Sequence, residues 1–486
     1  MAALVLPNSL PEELAARTFL RFLRAAPRPA AGGAPLAYRL AYVHDLLVEL
    51  ARHGLAAPDA AAAAFGGARP PPAPADVPAA AARAAILTVE AATRAQSESD
   101  LWTLLRRGLA TASTVRWGAD GPRFPPTWCE ASTARCGTPD NAALIFGRVN
   151  ERVARAAVAA LYAEAPTPDL PAAATGGDEG DEGDGDGAKE EMFTFDETGA
   201  PPPGHDLFSC GLLLDPRTGM VGASLDLLVC DRDARGRLAP HRTQTEMLFF
   251  EIKCRAKYLF SADDASPTAR AYARLLGRPD ADTLRGFLNS IARPGVEFFE
   301  GAPGPGEALA TADPAWRRAG AEDAPATRRR CGAFDARHVA ANAHAQSEVW
   351  LFSDPVDGRQ DIVPWASGER ALRVPVFANP RHANFRQILV QSYVVAGVFP
   401  DRPARPHLAT FFGRRRRPCE QNRTLDLASL CDVPPACAVP VLLIVTPVSV
   451  CEEAFEDLRT RAEEAFRATA SRTWDSAAAD SPATAS

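Results

Sequence analysis

Apolar positions along the chain follow two different spacings. Over the first hundred residues they recur three and four apart, the period of a helix with one buried face. Ser9-Leu-Pro-Glu12 has the form of a capping box, and Leu14, Phe19, Leu20, Phe22 and Leu23 follow it. Residues 36–50, 79–109 and 141–163 repeat the helical pattern, with a Pro/Ala-rich linker at 66–78. From about residue 210 the pattern becomes short apolar runs broken by turn residues, the mark of strands. Residues 210–214, 222–230 and 247–254 are predicted strands, separated by the turn Asp215-Pro-Arg-Thr-Gly219 and a polar connection at 231–245. Residues 349–352 and 441–445 are further strands, and 384–398 reads as a helix. Together these elements predict an α/β fold with a mixed central sheet flanked by helices. A helical lobe at 1–110 is expected to wall a cleft opposite a catalytic domain at 111–470.

Charge refines this outline. The formal net charge is −7, which at first argues against a nucleic-acid binder. The net negative charge comes from one Asp/Gly/Glu run at 178–191, and the remainder is close to neutral. Contact with phosphate needs a positive face, not a positive total. Residues 164–204 are expected to be a disordered insertion, because dense charge without apolar anchors cannot offset chain entropy. The run lacks the order of a calcium-binding loop. The small, polar tail at 471–486 is expected to fray. Two basic runs, Arg414–Arg417 and Arg328–Arg330, suit a nuclear import signal, a DNA-backbone contact or a solvated loop.

Ten cysteines are scattered with no C-x-x-C pair and no zinc spacing, which suits a reducing compartment. No signal peptide is expected at the start. The apolar run at 438–450 carries two prolines and is too short to span a bilayer, so no membrane partner is expected.

The chemistry sits on two predicted strands. Read as a continuous strand, 222–230 puts Leu225, Leu227 and Val229 on one face and Ser224 and Asp226 on the other. In Leu248-Phe-Phe-Glu-Ile-Lys253, Glu251 and Lys253 share a face opposite Ile252. An acid among leucines is costly unless it is paired or binds a metal. If the strands pair, two carboxylates and one ammonium converge. Two carboxylates and the Ile252 carbonyl suit hard Mg2+, with Mn2+ as a substitute, and the lysine can orient a water. Asp, a gap, then Glu-x-Lys is the PD-(D/E)XK nuclease pattern. A structural Glu–Lys pair on a sheet edge is the plainer explanation of the same residues.

The longer blocks decide between these. Cys210-Gly-Leu-Leu-Leu-Asp-Pro-Arg-Thr-Gly-Met-Val-Gly-Ala-Ser-Leu-Asp226 and Phe250-Glu-Ile-Lys-Cys-Arg-Ala-Lys-Tyr-Leu-Phe260 resemble the herpesvirus alkaline nucleases, which share a core with phage lambda exonuclease. Gln96-Ser-Glu-Ser-Asp-Leu-Trp102 with Thr111-Ala-Ser113, Phe146-Gly-Arg-Val-Asn-Glu151, and Asn379-Pro-Arg-His-Ala-Asn-Phe-Arg-Gln-Ile-Leu-Val-Gln-Ser-Tyr393 resemble further blocks of that family. The resemblance implies Glu151 as another metal ligand beside Asp226, Glu251 and Ile252. It implies a phosphate site of Ser113, Ser224 and either Arg106 or Arg107, with Gln391 completing the centre. Lys257 adds one more basic residue. The tryptophans are read as core, and His205, His338, His344 and His382 form no metal set; helix capping or packing accounts for His382.

The implied activity is a Mg2+-dependent 5′-to-3′ exonuclease with endonuclease action on DNA. The implied role is trimming branched viral replication intermediates, with the viral single-stranded DNA-binding protein as partner, in the host nucleus and also the cytoplasm. Two other readings stand beside it: an RNA-degrading host-shutoff nuclease on the same site, and a catalytically idle DNA-binding scaffold.

Overall fold

A computed structural model describes residues 10–28, 34–55, 59–65, 78–96, 99–112, 114–118, 121–124, 142–162, 207–291, 296–298, 333–380 and 382–480. Among them, seven strands form the central sheet: β1 Leu207–Phe208, β2 Leu227–Val229, β3 Met247–Cys254, β4 Ser347–Leu351, β5 Ala371–Val374, β6 Ala404–Arg414 and β7 Val439–Pro447. Their order across the sheet is β5-β4-β7-β6-β3-β2-β1. The central pair, β3 and β6, is parallel, and β6–β7 and β2–β3 are antiparallel. This is the mixed sheet that the sequence predicts.

The sheet is buried on both faces. Phe249 of β3 and Leu408 of β6 enter one core cluster, while Phe250, Ile252 and Ala409 enter the other. A strand buried on both sides reads as a continuous apolar run, which is why β3 is legible in sequence.

Six helices bear on the site: α1 Pro35–Arg52, α2 Ala79–Ala92, α3 Asp100–Arg106, α4 Ala142–Tyr162, α5 Ala383–Val398 and α6 Glu453–Asp480. On α4, Val153, Ala154, Ala157 and Val158 face the sheet on one side; the alanines let the helix lie close. The opposite face is covered by α5, of whose 16 residues 12 are buried. A helix buried nearly all round has no amphipathic stripe, so its sequence mixes helical and strand-like features.

Several expectations are corrected. The pattern at 79–109 is two helices, α2 and α3. The chain turns between them at Gln96, whose φ is 47°. Its side-chain amide donates to the carbonyls of Cys210 and Leu225, tying the break to the sheet segment. The first apolar stretch is likewise two pieces, Glu12–Ala15 with Pro11 at its N-cap and Phe19–Ala25 capped by Thr18; Ser9 lies outside the described residues. The run at 222–230 is also broken: Gly222–Ala223 pairs elsewhere, and only Leu227–Val229 joins the main sheet. Leu225 and Leu227 therefore bury into different clusters instead of sharing a face. The predicted strand at 210–214 contributes only Leu213–Leu214, and β6 has no counterpart among the predicted strands.

The N-terminal helices share a core with the sheet layer. Phe19, Tyr38, Leu46 and Ile86 belong to the same core cluster as Phe249 and Leu442. Arg39, fully buried, donates to the Gly219 carbonyl at 3.0 Å and to that of Gly108. Gly219 has φ +66°, and a Cβ there would meet the Arg39 side chain at 2.8 Å, so both conformation and space require glycine. The tail at 471–486 was expected to fray, yet α6 continues to Asp480. Trp474 donates its indole N–H to the Leu23 carbonyl, and Arg28 pairs with Asp475 at 2.8 Å. These tertiary contacts hold a small, polar segment that has little pattern of its own. The insertion at 164–204 and the basic run 328–330 lie outside the described residues.

Candidate active site

The pairing of β2 with β3 carries the site. Leu227 lies opposite Phe250 and Leu228 opposite Phe249, which brings the preceding residue, Asp226, alongside Glu251. The Asp226 carboxylate accepts from the Ile252 backbone N–H at 2.8 Å. Glu251 is fully buried, and its two oxygens accept from Lys253 Nζ and from Gln391 Nε2 of α5. The Gln391 amide also donates to the Ser224 carbonyl at 3.0 Å, which fixes its orientation and leaves Oε1 as a buried acceptor without a partner. From the other side of the sheet α4 brings Glu151, ion-paired with Arg155 one turn later at 2.6 Å. The turn below is rigid: Asp215 accepts from the Arg217 and Thr218 amides, the Thr218 hydroxyl and Tyr393 Oη of α5.

The structure thus brings together Asp226, Glu251, Lys253, Glu151 and Gln391. Ser224 Oγ accepts from the Trp102 indole N–H at 2.9 Å, and the Arg106 guanidinium lies over the Trp102 ring at 4.0 Å from its centroid. Arg106 also donates to the Thr111 hydroxyl. Arg107 turns away and donates to the Ala15 carbonyl. Of the two arginines, Arg106 is therefore the one beside Ser224. Ser113 lies outside the described residues.

Trp102 packs half-buried against the core, as the sequence predicts, and also links Arg106 to Ser224. Arg155 and the bridging Gln96 were missed, though Gln96 opens one of the family-like blocks. Lys257 sets its ammonium near the Tyr258 ring, and His382 caps α5 by accepting from the Asn384 amide.

The run 414–417 is not a free basic patch. Arg414 is fully buried and bound by Glu420 and Asp354. Arg416 donates to the carbonyls of Cys437, Glu420, Arg423, Val433 and Pro434. Arg417 pairs with Asp263 and Asp354. Three of the four arginines hold the fold together, which corrects their reading as an import signal or DNA contact.

The charge on Asp226 acts on both neighbouring glutamates. Burial, then the charge on Asp226, pushes the Glu251 carboxyl up to about 8; Lys253 and Gln391 act the other way. Burial and Asp226 raise Glu151 to about 7 against Arg155 and Lys253. Burial opposes the Lys253 charge, but Glu251 and Asp226 outweigh it and raise its pKa. Burial lowers Arg106 to about 10, and a bound anion would reverse that shift.

Among the described residues no three His, Cys, Asp or Glu side chains close on one point as a finished ligand shell. Each acid is instead held by an internal partner. The donor set still fits a hard divalent cation: carboxylate oxygens, a backbone carbonyl and the unpartnered Gln391 Oε1 supply oxygen only, with negative charge that a cation relieves.

An acid at the head of one strand and an acid and a lysine on the next strand of a mixed sheet, beneath a helix that adds a further acid, are the architecture of the PD-(D/E)XK nucleases. The Viral alkaline exonuclease family model matches residues 34–484. The chain belongs to that family of nucleic-acid-hydrolysing enzymes. It is 47% identical to the alkaline nuclease of Equine herpesvirus 1 (strain Ab4p), over 99% of this chain and 87% of that one. It is 97% identical over 150 residues to an alkaline nuclease of Suid herpesvirus 1 (strain NIA-3), covering 31% of this chain and all of that one. In fold it resembles the shutoff and exonuclease protein of Kaposi's sarcoma-associated herpesvirus, with a TM-score of 0.64 and 22% identity over 95% of this chain and 92% of that one. That protein has also been solved in complexes with DNA and with RNA. Among the described residues no helix is long and apolar enough to cross a membrane.

Proposed function

We propose that the chain is a Mg2+-dependent deoxyribonuclease, a 5′-to-3′ exonuclease with endonuclease activity. The observation that carries this reading is Glu251, fully buried yet bound by both Lys253 and Gln391 and flanked by Asp226. Asp226, Glu251, the Ile252 carbonyl and Glu151 would hold Mg2+, or Mn2+ in its place. The ion supplies charge compensation at the scissile phosphate and a water of lowered pKa. Lys253 orients the attacking water and offsets charge that builds on the phosphoryl oxygens. Gln391 keeps Glu251 in place through one amide hydrogen and the Ser224 backbone through the other. Its biological role in this reading is trimming branched viral replication intermediates and recombination with the viral single-stranded DNA-binding protein, in the host nucleus and cytoplasm.

The test is digestion of end-labelled duplex with and without Mg2+. Loss of all cleavage on chelation, restored by Mg2+, is expected; cleavage unaffected by chelation sinks the reading. The Kaposi's sarcoma-associated herpesvirus protein has been captured with RNA, so matched RNA substrates belong in the same assay. A higher kcat/KM on RNA would favour the shutoff activity.

Ser224, Arg106 and Trp102 suit a phosphate one nucleotide from the cut. A charge-assisted hydrogen bond contributes about 1.5 kcal/mol, so duplexes with a 5′-phosphate should be degraded about tenfold faster than 5′-hydroxyl ends. Arg106→Ala should erase most of that preference, and Arg107→Ala should leave it nearly intact. Equal rates on both ends in the wild type would remove the pocket.

Metal binding should depend on pH. Glu251 and Glu151 have folded-state pKa values above the ordinary 4.5, so the stability they contribute is full below about 4.5 and lost as pH rises through about 7 and 8. A cation displaces those protons. The rise in Tm caused by Mg2+ should therefore grow between about pH 6 and about pH 9. A shift that stays constant over that range would contradict the assignment of these acids as ligands.

A further inference from the structure

The face of α5 that carries Gln391 follows β3 past the catalytic acids. Gln391 meets Glu251. Two helical turns earlier Asn384 meets Arg255, whose guanidinium donates to Asn384 Oδ1 at 3.3 Å. On β3 and just beyond it, Glu251, Lys253 and Arg255 are each two residues apart and point to the same side of the sheet. The separation of the two contacts is roughly 10 Å along the helix, at 1.5 Å per residue. Arg255 is exposed, while Asn384 is 1% exposed. With Oδ1 committed to Arg255, Asn384 Nδ2 is a buried donor without a hydrogen-bond partner in the structure. Asn384 stands in the first turn of a 16-residue helix, whose N-terminal end carries partial positive charge, although His382 takes the Asn384 backbone N–H. The nearby Asp335 carboxylate is taken by Arg386.

We infer that Arg255, Asn384 and the start of α5 form a second phosphate site, which grips a backbone phosphate of the substrate strand about two helical turns along α5 from Glu251. Guanidinium, amide N–H and helix N-terminus are all donors, and a phosphodiester is an acceptor on every accessible oxygen. Two grips, at Arg106 and at Arg255, hold the strand in register beside the catalytic lysine. The inference rests on the proposed nuclease function for the identity of its ligand.

Binding without cleavage tests it. The full chain is titrated against fluorescein-labelled duplex DNA in EDTA, following anisotropy from about 50 to about 200 mM salt. Arg255→Gln keeps a donor for Asn384 but removes one charge; the slope of log K against log salt should fall by about 0.9, with binding weakened about three- to tenfold at low salt. Arg255→Lys keeps the charge and should keep the wild-type slope. Asn384→Asp places a carboxylate where the phosphate would rest and should weaken binding more than Asn384→Ala does. An unchanged slope in Arg255→Gln, or equal binding by the two Asn384 variants, would overturn the site. A rise in wild-type Tm with inorganic phosphate that Arg255→Gln abolishes, together with an unchanged DNA slope, would assign the site to free phosphate and also overturn it. Because no metal is present, these outcomes are independent of whether the chain cleaves DNA, which the Mg2+ digestion decides separately.

Discussion

Glu251→Gln, or Asp226→Asn, is expected to lower cleavage of duplex DNA by roughly a thousandfold or more, since a lost ligand removes Lewis-acid help of several kcal/mol. Both changes are nearly isosteric, so packing is preserved. Glu251 is fully buried and pushed up to about 8, which means that its ionised form is disfavoured by the metal-free protein. A neutral amide there does not carry that penalty, and Gln391 and Lys253 still surround it. The variants should therefore remain folded in EDTA at alkaline pH while losing the Mg2+-dependent rise in Tm. Single-turnover cleavage, run beside thermal melts with and without Mg2+, separates the two effects. Near-wild-type turnover by either variant would remove it from the catalytic centre.

Arg414→Leu is expected to cost about 3–5 kcal/mol of stability, the range for breaking a buried ion pair by removing one partner. Arg414 has no exposed surface and donates to Glu420 at 2.8 and 2.9 Å and to Asp354 at 2.9 Å. Tyr272 binds the same Asp354 oxygen at 2.8 Å, and Arg417 reaches the other at 3.1 Å. Removing the guanidinium leaves two carboxylates facing one another around a hole. The midpoint of urea unfolding should fall accordingly. Arg415→Ala, changing the exposed arginine of the run, should leave the midpoint within about 0.5 kcal/mol of wild type. Equal midpoints for the two variants would show that the Arg414 network contributes nothing.

These two experiments mark different degrees of legibility. The convergence of Asp226, Glu251 and Lys253 could be read because their chemistry violates their surroundings: acids and a lysine interrupt apolar runs on two predicted strands. The basic run could not be read correctly. Four consecutive arginines look alike in sequence, and only their partners distinguish Arg414, locked in an ion-pair network, from the exposed Arg415. Glu420 lies six residues on, but Asp354, which binds Arg414, and Asp263, which binds Arg417, come from distant parts of the chain. The choice between Arg106 and Arg107 was open for the same reason, and it is the end of α3 at Arg106 that sends one guanidinium to Trp102 and the other toward Ala15.

By itself the sequence determined the α/β class, β3, α4, α5 and the convergence of Asp226, Glu251 and Lys253. Each is carried by local spacing or by a motif, which survives in one dimension. Tertiary structure decided what depends on partners far away in the chain. The break at Ser224–Asp226 arises because Gly222–Ala223 and Leu227–Val229 pair with different strands, and that break sends Leu225 and Leu227 into different cores. The N-terminal helices merge with the sheet layer because Arg39 and the apolar residues around it find acceptors and core only there. The helix at 471–480 persists because Trp474 and Asp475 meet Leu23 and Arg28 across more than four hundred residues. Local pattern sets which backbone conformations are favoured; long-range burial and hydrogen bonding select among them.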